Sequence, residues 1–164
     1  MSTFQTTKTY AHPLPVVLDL LCSQEHARAK YEQLGHGAFQ PVSWELGDTV
    51  KSMHGRRRVP LDAPGFAKKV LGSEDVVDQK ERWQAVGDGT WTSAWSVDVQ
   101  GSPITIRGTA ALRPTATGCA QEIRGEAKCS VPLIGGKIAD FVAKDAEKGM
   151  AKEDAIDRAA LAKG

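Results

Sequence analysis

Hydrophobic and polar residues alternate along most of this chain, which is the pattern of strands that bury one face. The clearest run covers residues 119–131, where charged residues occupy every second position from Glu122 to Lys128. The other strand-like runs cover residues 3–10, 39–46, 49–60, 74–84, 89–100 and 103–114. Short turn sequences join the later runs. They predict an antiparallel meander, because parallel strands need long crossover connections.

Helical patterns fill most of the remaining chain. One short helix begins at Pro13 and Pro15, and a second runs from its capping residue Ser23 to Gly35. A third short helix lies near residues 64–71. The last helix begins at Lys137 and continues almost to the end, over about 28 residues and roughly 40 Å. We therefore predict one α+β domain, residues 1–164, in which a curved seven-stranded antiparallel sheet wraps on a long C-terminal helix.

One face of the predicted sheet carries most of the tryptophans. Strand alternation places Trp83, Trp91 and Trp95 in one region of the inner face. These rings either form an ordinary core or line a cavity. Small residues on the same face favour a cavity, because they leave either close backbone contact or a hole. The small residues are Ser93, Gly108, Gly125 and Ala127.

Polar residues also fall on the inner face, where an unpaired polar group costs several kcal/mol to bury. They are Arg57, Gln79, Glu81 and Gln121. Since Arg57 and Glu81 lie on neighbouring strands, we expect them to form a buried or half-buried ion pair. Such a pair either satisfies itself at a wet end of the sheet or binds a polar group of a ligand.

The composition of the chain gives no indication of nucleic acid or a membrane as a partner. A formal net charge of +1 gives no global attraction for nucleic acid, and no stretch approaches the roughly 20 apolar residues of a membrane span. No signal peptide is recognisable at the start of the chain. The three cysteines lack CxxC spacing and the histidines lack metal-ligand spacing. We therefore expect free thiols, no metal, no cofactor and a cytoplasmic location, and the oligomeric state stays open.

The order of elements resembles the helix-grip fold of the START-like (SRPBCC) superfamily. This superfamily includes birch-pollen-allergen-like proteins, polyketide cyclases and lipid-transfer START domains. Four segments are similar to an uncharacterised, mainly actinobacterial family within it: RRRVPLDAPGF, the strand of Trp83, SPITIRGTAALRPT and VPLIGG. The superfamily resemblance implies a hydrophobic cavity between sheet and last helix, whereas the narrower family has no assigned function.

These features predict a domain that binds or carries a small to medium hydrophobic ligand, of lipid-like or polyketide-like chemistry. One alternative is an enzyme of the cyclase or dehydratase type, with Glu81 or His54 as its acid–base residue. Another is a non-catalytic scaffold domain with a filled core. The residues expected to bind the ligand are Trp83, Trp91, Trp95, Met53, Arg57, Gln79, Glu81, Ile106, Ile123, Ile138, Phe141 and Val142.

The last helix is also predicted to act as a lid over the cavity. Its apolar stripe is dense up to Ala146 and thin after it, where only Met150, Ile156 and Leu161 are large and apolar. The second half is therefore expected to be loosely held and able to lift, with Gly135 and Gly136 as the hinge.

Overall fold

The computed structural model describes residues 1–163 as a seven-stranded sheet with four helices. The strands are β1 (Ser2–Tyr10), β2 (Gly37–Leu46), β3 (Val50–Pro60), β4 (Glu74–Gly87), β5 (Thr90–Val99), β6 (Ile104–Thr115) and β7 (Gly118–Cys129). The helices are α1 (Leu14–Leu21), α2 (Gln24–Gln33), α3 (Gly65–Leu71) and α4 (Gly135–Lys163). The prediction of an α+β helix-grip fold with an antiparallel sheet is confirmed.

Local chemistry sets the ends of the two early helices. Pro13 precedes α1, where its fixed φ suits a helix start. The Ser23 hydroxyl accepts a hydrogen bond from the backbone N–H of His26 (3.1 Å) and caps α2. After α2, Gly35 adopts a φ of +79°, a conformation that glycine tolerates without strain. The two helices therefore bridge β1 and β2 as the sequence predicts.

The sheet has the strand order β1-β7-β6-β5-β4-β3-β2, and every neighbouring pair is antiparallel. The first strand therefore lies beside the last, and the meander β2 to β7 forms the rest of the sheet. Helix α4 makes its main sheet contacts with β1 and β7. Ile138 of α4 also packs in one cluster with Ile104 of β6, and open space remains between α4 and part of the inner surface of β3 to β6.

Two glycines of the sheet lie beneath aromatic rings. A side chain at Gly108 would overlap the ring of Trp95, and one at Gly125 would overlap the ring of Phe4. The two ring centroids are 6.1 Å apart. Small inner residues were expected to leave either close backbone contact or a hole. At Gly108 and Gly125 they allow close contact, because the aromatic rings occupy the space above the backbone.

Apolar side chains pack in three clusters on the inner face. One contains Leu112 and Trp83 beside α1, a second contains Ile138 beneath α3, and a third contains Phe4 beneath α4. Leu112 and Ile138 are completely buried. Members of all three clusters also border one shared cavity, which forms the candidate site.

Candidate ligand-binding cavity

A cavity of about 310 Å³ lies between the inner face of the sheet and α4. Its volume is at the small end of the range typical of ligand sites, roughly 300–1,000 Å³. The predicted lining residues that border it are Arg57, Gln79, Glu81, Trp83, Trp95, Ile106, Ile123, Phe141 and Val142. Strand alternation brings these residues to one face, and α4 supplies Phe141 and Val142 from the opposite side.

The structure places three predicted lining residues outside this cavity. Met53 is 6% exposed and packs in the cluster of Trp83. Trp91 is half-buried and lies 5.3 Å from the Lys51 ammonium, measured to its ring centroid. Ile138 is completely buried against the residues of α3. Met53 and Ile138 lie on the expected face, but packed side chains fill the space in front of them.

A chain of hydrogen bonds crosses the polar side of the cavity. Arg57 Nη1 donates to Gln79 Oε1 (2.8 Å), and Gln79 Nε2 donates to Glu81 Oε1 (2.8 Å). The Trp83 indole N–H donates to Glu81 Oε2 (3.2 Å), and Arg57 Nε donates to His36 Nδ1 (3.0 Å). The predicted direct pair of Arg57 and Glu81 is therefore wrong. Arg57 lies opposite Val77 in the β3–β4 register, so that Gln79 bridges the two charged groups.

Burial shifts the pKa values of two side chains in this hydrogen-bond network, Glu81 and His36. Burial raises the pKa of Glu81, and the charge of Lys30 and hydrogen bonds from Gln79 and Trp83 offset only part of the effect. Burial, with the charge of Arg57, lowers the pKa of His36 to about 4. His36 is thus neutral near pH 7, which agrees with its Nδ1 accepting from Arg57. The Arg57 guanidinium also lies 4.0 Å from the Tyr31 ring centroid.

The sequence did not predict a second polar group at the cavity, because its members come from two separate helices, α2 and α4. Lys30 Nζ lies 3.3 Å from Asp157 Oδ1 and 3.6 Å from Glu153 Oε1. The same Asp157 oxygen lies 2.7 Å from His26 Nε2. Burial disfavours the charged form of Lys30, yet its surroundings, with Glu153 foremost, raise its pKa above the ordinary value.

These ion pairs correct the basis of the lid prediction. The second half of α4 is not loosely held, since Asp157 is 2% exposed and Leu161 is 6% exposed. The first turn is packed as well: a Cβ at Gly135 would lie 2.5 Å from the carbonyl oxygen of Cys129. Both ends of α4 are thus fixed in this structure, the second by polar contacts that an apolar stripe does not reveal. The lifting motion itself stays a prediction.

His54 lies on the opposite face of β3 from the cavity. Its Nε2 atom is 2.9 Å from Asp78 Oδ1, and Arg56 Nε donates to the same oxygen (3.1 Å). Of the two acid–base candidates, Glu81 borders the cavity and His54 does not. Successive side chains of a strand point to opposite faces. His54 is an odd number of residues away from both Met53 and Arg57, so it points to the face opposite theirs.

Residues 1–163 contain no group of three or more histidine, cysteine, aspartate or glutamate side chains placed to hold a metal ion. No helix in that part of the chain combines the length and the apolar character needed to cross a membrane. The cysteines are free; Cys22 and Cys119 are buried and Cys129 is half-buried.

Several solved structures share this fold at low sequence identity. TTHA0849 from Thermus thermophilus aligns with a TM-score of 0.68 and 13% identity, over 99% of this chain and 99% of that one. Ara h 8.0201 aligns with a TM-score of 0.63 and 15% identity, over 98% of each chain. Human STARD10 aligns with a TM-score of 0.61 and 11% identity, over 94% of this chain and 62% of that one. At these identities the likeness concerns the fold.

Sequence comparison gives a family but no characterised relative. No curated protein matches the chain. The family described as "Protein of unknown function (DUF2505)" matches residues 5–160, and the chain belongs to that family.

Proposed function

We propose that this protein binds or carries a small to medium apolar molecule in the cavity between its sheet and α4. The observation that supports this most directly is the cavity itself: about 310 Å³ of space with an apolar wall and a hydrogen-bonded polar side. Ligand sites commonly combine apolar walls with a few fixed polar groups. The reducing cytoplasm is the proposed location, since it suits three free thiols.

The cavity also bears on the scaffold alternative. A scaffold domain with a filled core would reach the packing density of a protein interior. The open space beside Trp95, Val97 and Ile106 argues against such filling. We therefore favour ligand binding over a purely structural role.

Filling the cavity is expected to weaken ligand binding. Val97 borders the open space from β5, whereas its neighbour Ser96 points to the other face of the sheet. In Val97→Phe the larger ring occupies the ligand's volume, and affinity for an environment-sensitive apolar fluorophore should fall at least about tenfold, or 1.4 kcal/mol. The matched variant Ser96→Phe should bind like the parent. Equal fluorophore titrations for the two folded variants would contradict a ligand site at Val97.

An enzyme of the cyclase or dehydratase type is the second candidate, and Glu81 is the observation that favours it. Its carboxyl group borders the cavity, and burial raises its pKa, as is common for acid–base residues of enzymes. Glu81→Gln keeps the side-chain shape and removes the titrating proton. An enzyme variant of this kind should bind an identified ligand but not convert it. A carrier should release the same molecule unchanged from both proteins.

A further inference from the structure

Lys8 and Gln121 form a buried pair of side chains that the proposed function does not yet use. They face each other across the β1–β7 ladder, and both border the cavity. Lys8 is 9% exposed and Gln121 is 6% exposed. Directly opposed residues have Cβ atoms about 4.5–5.5 Å apart. The two polar ends can therefore serve one bound group.

The hydrogen bonds of this pair leave several N–H donors free. Lys8 Nζ donates to the backbone oxygen of Met150 (3.3 Å), its one hydrogen-bond partner within residues 1–163. Since an ammonium has three N–H groups, others remain free. Gln121 Oε1 accepts from the Tyr10 hydroxyl (3.3 Å), and the Gln121 amide nitrogen donates to no atom of the described chain. Free N–H groups of both side chains thus border the same space.

The charged groups around Lys8 also leave its ammonium available to a ligand. Neighbouring carboxylates already have cations within 4 Å: Glu153 and Asp157 have Lys30, and Asp154 has Arg158 at 2.9 Å. Within residues 1–163, Lys8 has no carboxylate at that distance. Burial lowers the pKa of Lys8, and the surrounding carboxylates compensate for this only in part. The ammonium therefore lacks a directly bonded counter-charge.

We propose that Lys8 and Gln121 bind the carboxylate of an acidic apolar ligand, whose chain lies along the apolar wall of the cavity. This inference rests on the proposed function and specifies its ligand class. A carboxylate only accepts hydrogen bonds, so its oxygens match the free N–H groups of Lys8 and Gln121. Charge-assisted hydrogen bonds are roughly twice as strong as neutral ones, so an acid should bind more tightly than its ester. An amine of the same length would bring donors and a like charge to the pair.

The test compares decanoate, methyl decanoate and decylamine, each competing with the apolar fluorophore. The parent protein should bind decanoate at least about tenfold more tightly than the ester, and the amine most weakly. In Gln121→Glu the new carboxylate supplies the missing partner of Lys8 and still accepts from Tyr10. This variant should lose the preference for decanoate over the ester while it keeps its affinity for the ester. Lys8→Met should behave likewise, and the exposed Lys80→Met is the matched control.

The outcomes separate this inference from the general proposal. If the ester or the amine binds the parent as tightly as decanoate, or if Gln121→Glu keeps the acid preference, the carboxylate site is wrong and the apolar cavity stands. If the fluorophore binds and none of the three competes, the carboxylate site is again wrong. If neither the fluorophore nor any competitor binds, the proposed function itself fails. Circular dichroism of each variant confirms the fold, and Gln121→Glu decides if Lys8→Met does not fold.

Discussion

Replacing Trp83 with alanine is expected to lower the free energy of unfolding by about 3–5 kcal/mol, the usual cost of removing a buried Trp or Phe side chain. Trp83 is 2% exposed and packs in the cluster that also contains Leu112 and Met53. Its indole N–H donates to Glu81, so the variant also removes one of two neutral donors to a buried carboxyl group. Chemical denaturation followed by circular dichroism measures the loss.

Trp83→Phe is the matched control for that experiment. It keeps a ring in the cluster and removes the hydrogen bond to Glu81, which should cost about 1–3 kcal/mol. The difference between the two variants then reports ring packing alone. A loss below about 1 kcal/mol for Trp83→Ala would mean that the ring does not support the inner face of β4 as described.

Replacing Asp157 with alanine should have a loss of similar size, about 3–5 kcal/mol, because it breaks a buried ion pair and leaves its partner's charge buried. Asp157 is 2% exposed and Lys30 is 8% exposed. The carboxylate lies within 3.3 Å of Lys30 Nζ and 2.7 Å of His26 Nε2. Its removal should also loosen the second half of α4, which hydrogen exchange would record as faster exchange beyond Met150.

Two further variants isolate the contribution of the buried charge. Glu147→Ala removes an exposed carboxylate from the same helix and should change stability by no more than about 0.5 kcal/mol. A double variant, Lys30→Met with Asp157→Leu, should recover much of the lost stability, because no buried charge remains unpaired. If Asp157→Ala costs no more than Glu147→Ala, the ion pairs do not hold α4.

The strand faces follow from the sequence because the side-chain period of a strand is fixed at two. Arg57, Gln79, Glu81 and Trp83 all lie on the inner face, as their alternation with polar residues predicts. The terminal helix is equally predictable, since its apolar spacing and its uninterrupted length leave no other regular structure. The pattern within one segment was therefore sufficient to predict the inner face of a strand and the presence of the last helix.

Access to the cavity depends instead on segments that are distant in the chain. Ile138 has the spacing of a lining residue, but α3 covers it. Met53 lies on the expected face and packs with Trp83 and Trp44. Alternation assigns a face to each residue without saying which neighbour will fill the space in front of it.

Three polar residues of the cavity were also not predictable together, because they come from distant segments of the chain. Lys8, Lys30 and Asp157 belong to β1, α2 and α4, and no spacing rule relates them. One signal was present: Asp157 has the same helical spacing as Met150 and Leu161, which places a carboxylate in the buried stripe of α4. A charged residue in an apolar stripe predicts a partner, but the fold decides which one.

Native mass spectrometry of the protein purified from its own host tests the central claim most directly. We predict excess mass from a co-purified molecule that dissociates intact on activation and is absent from Val97→Phe prepared in the same way. An unoccupied parent protein that also fails to take up the fluorophore would contradict the account of this cavity as a ligand site.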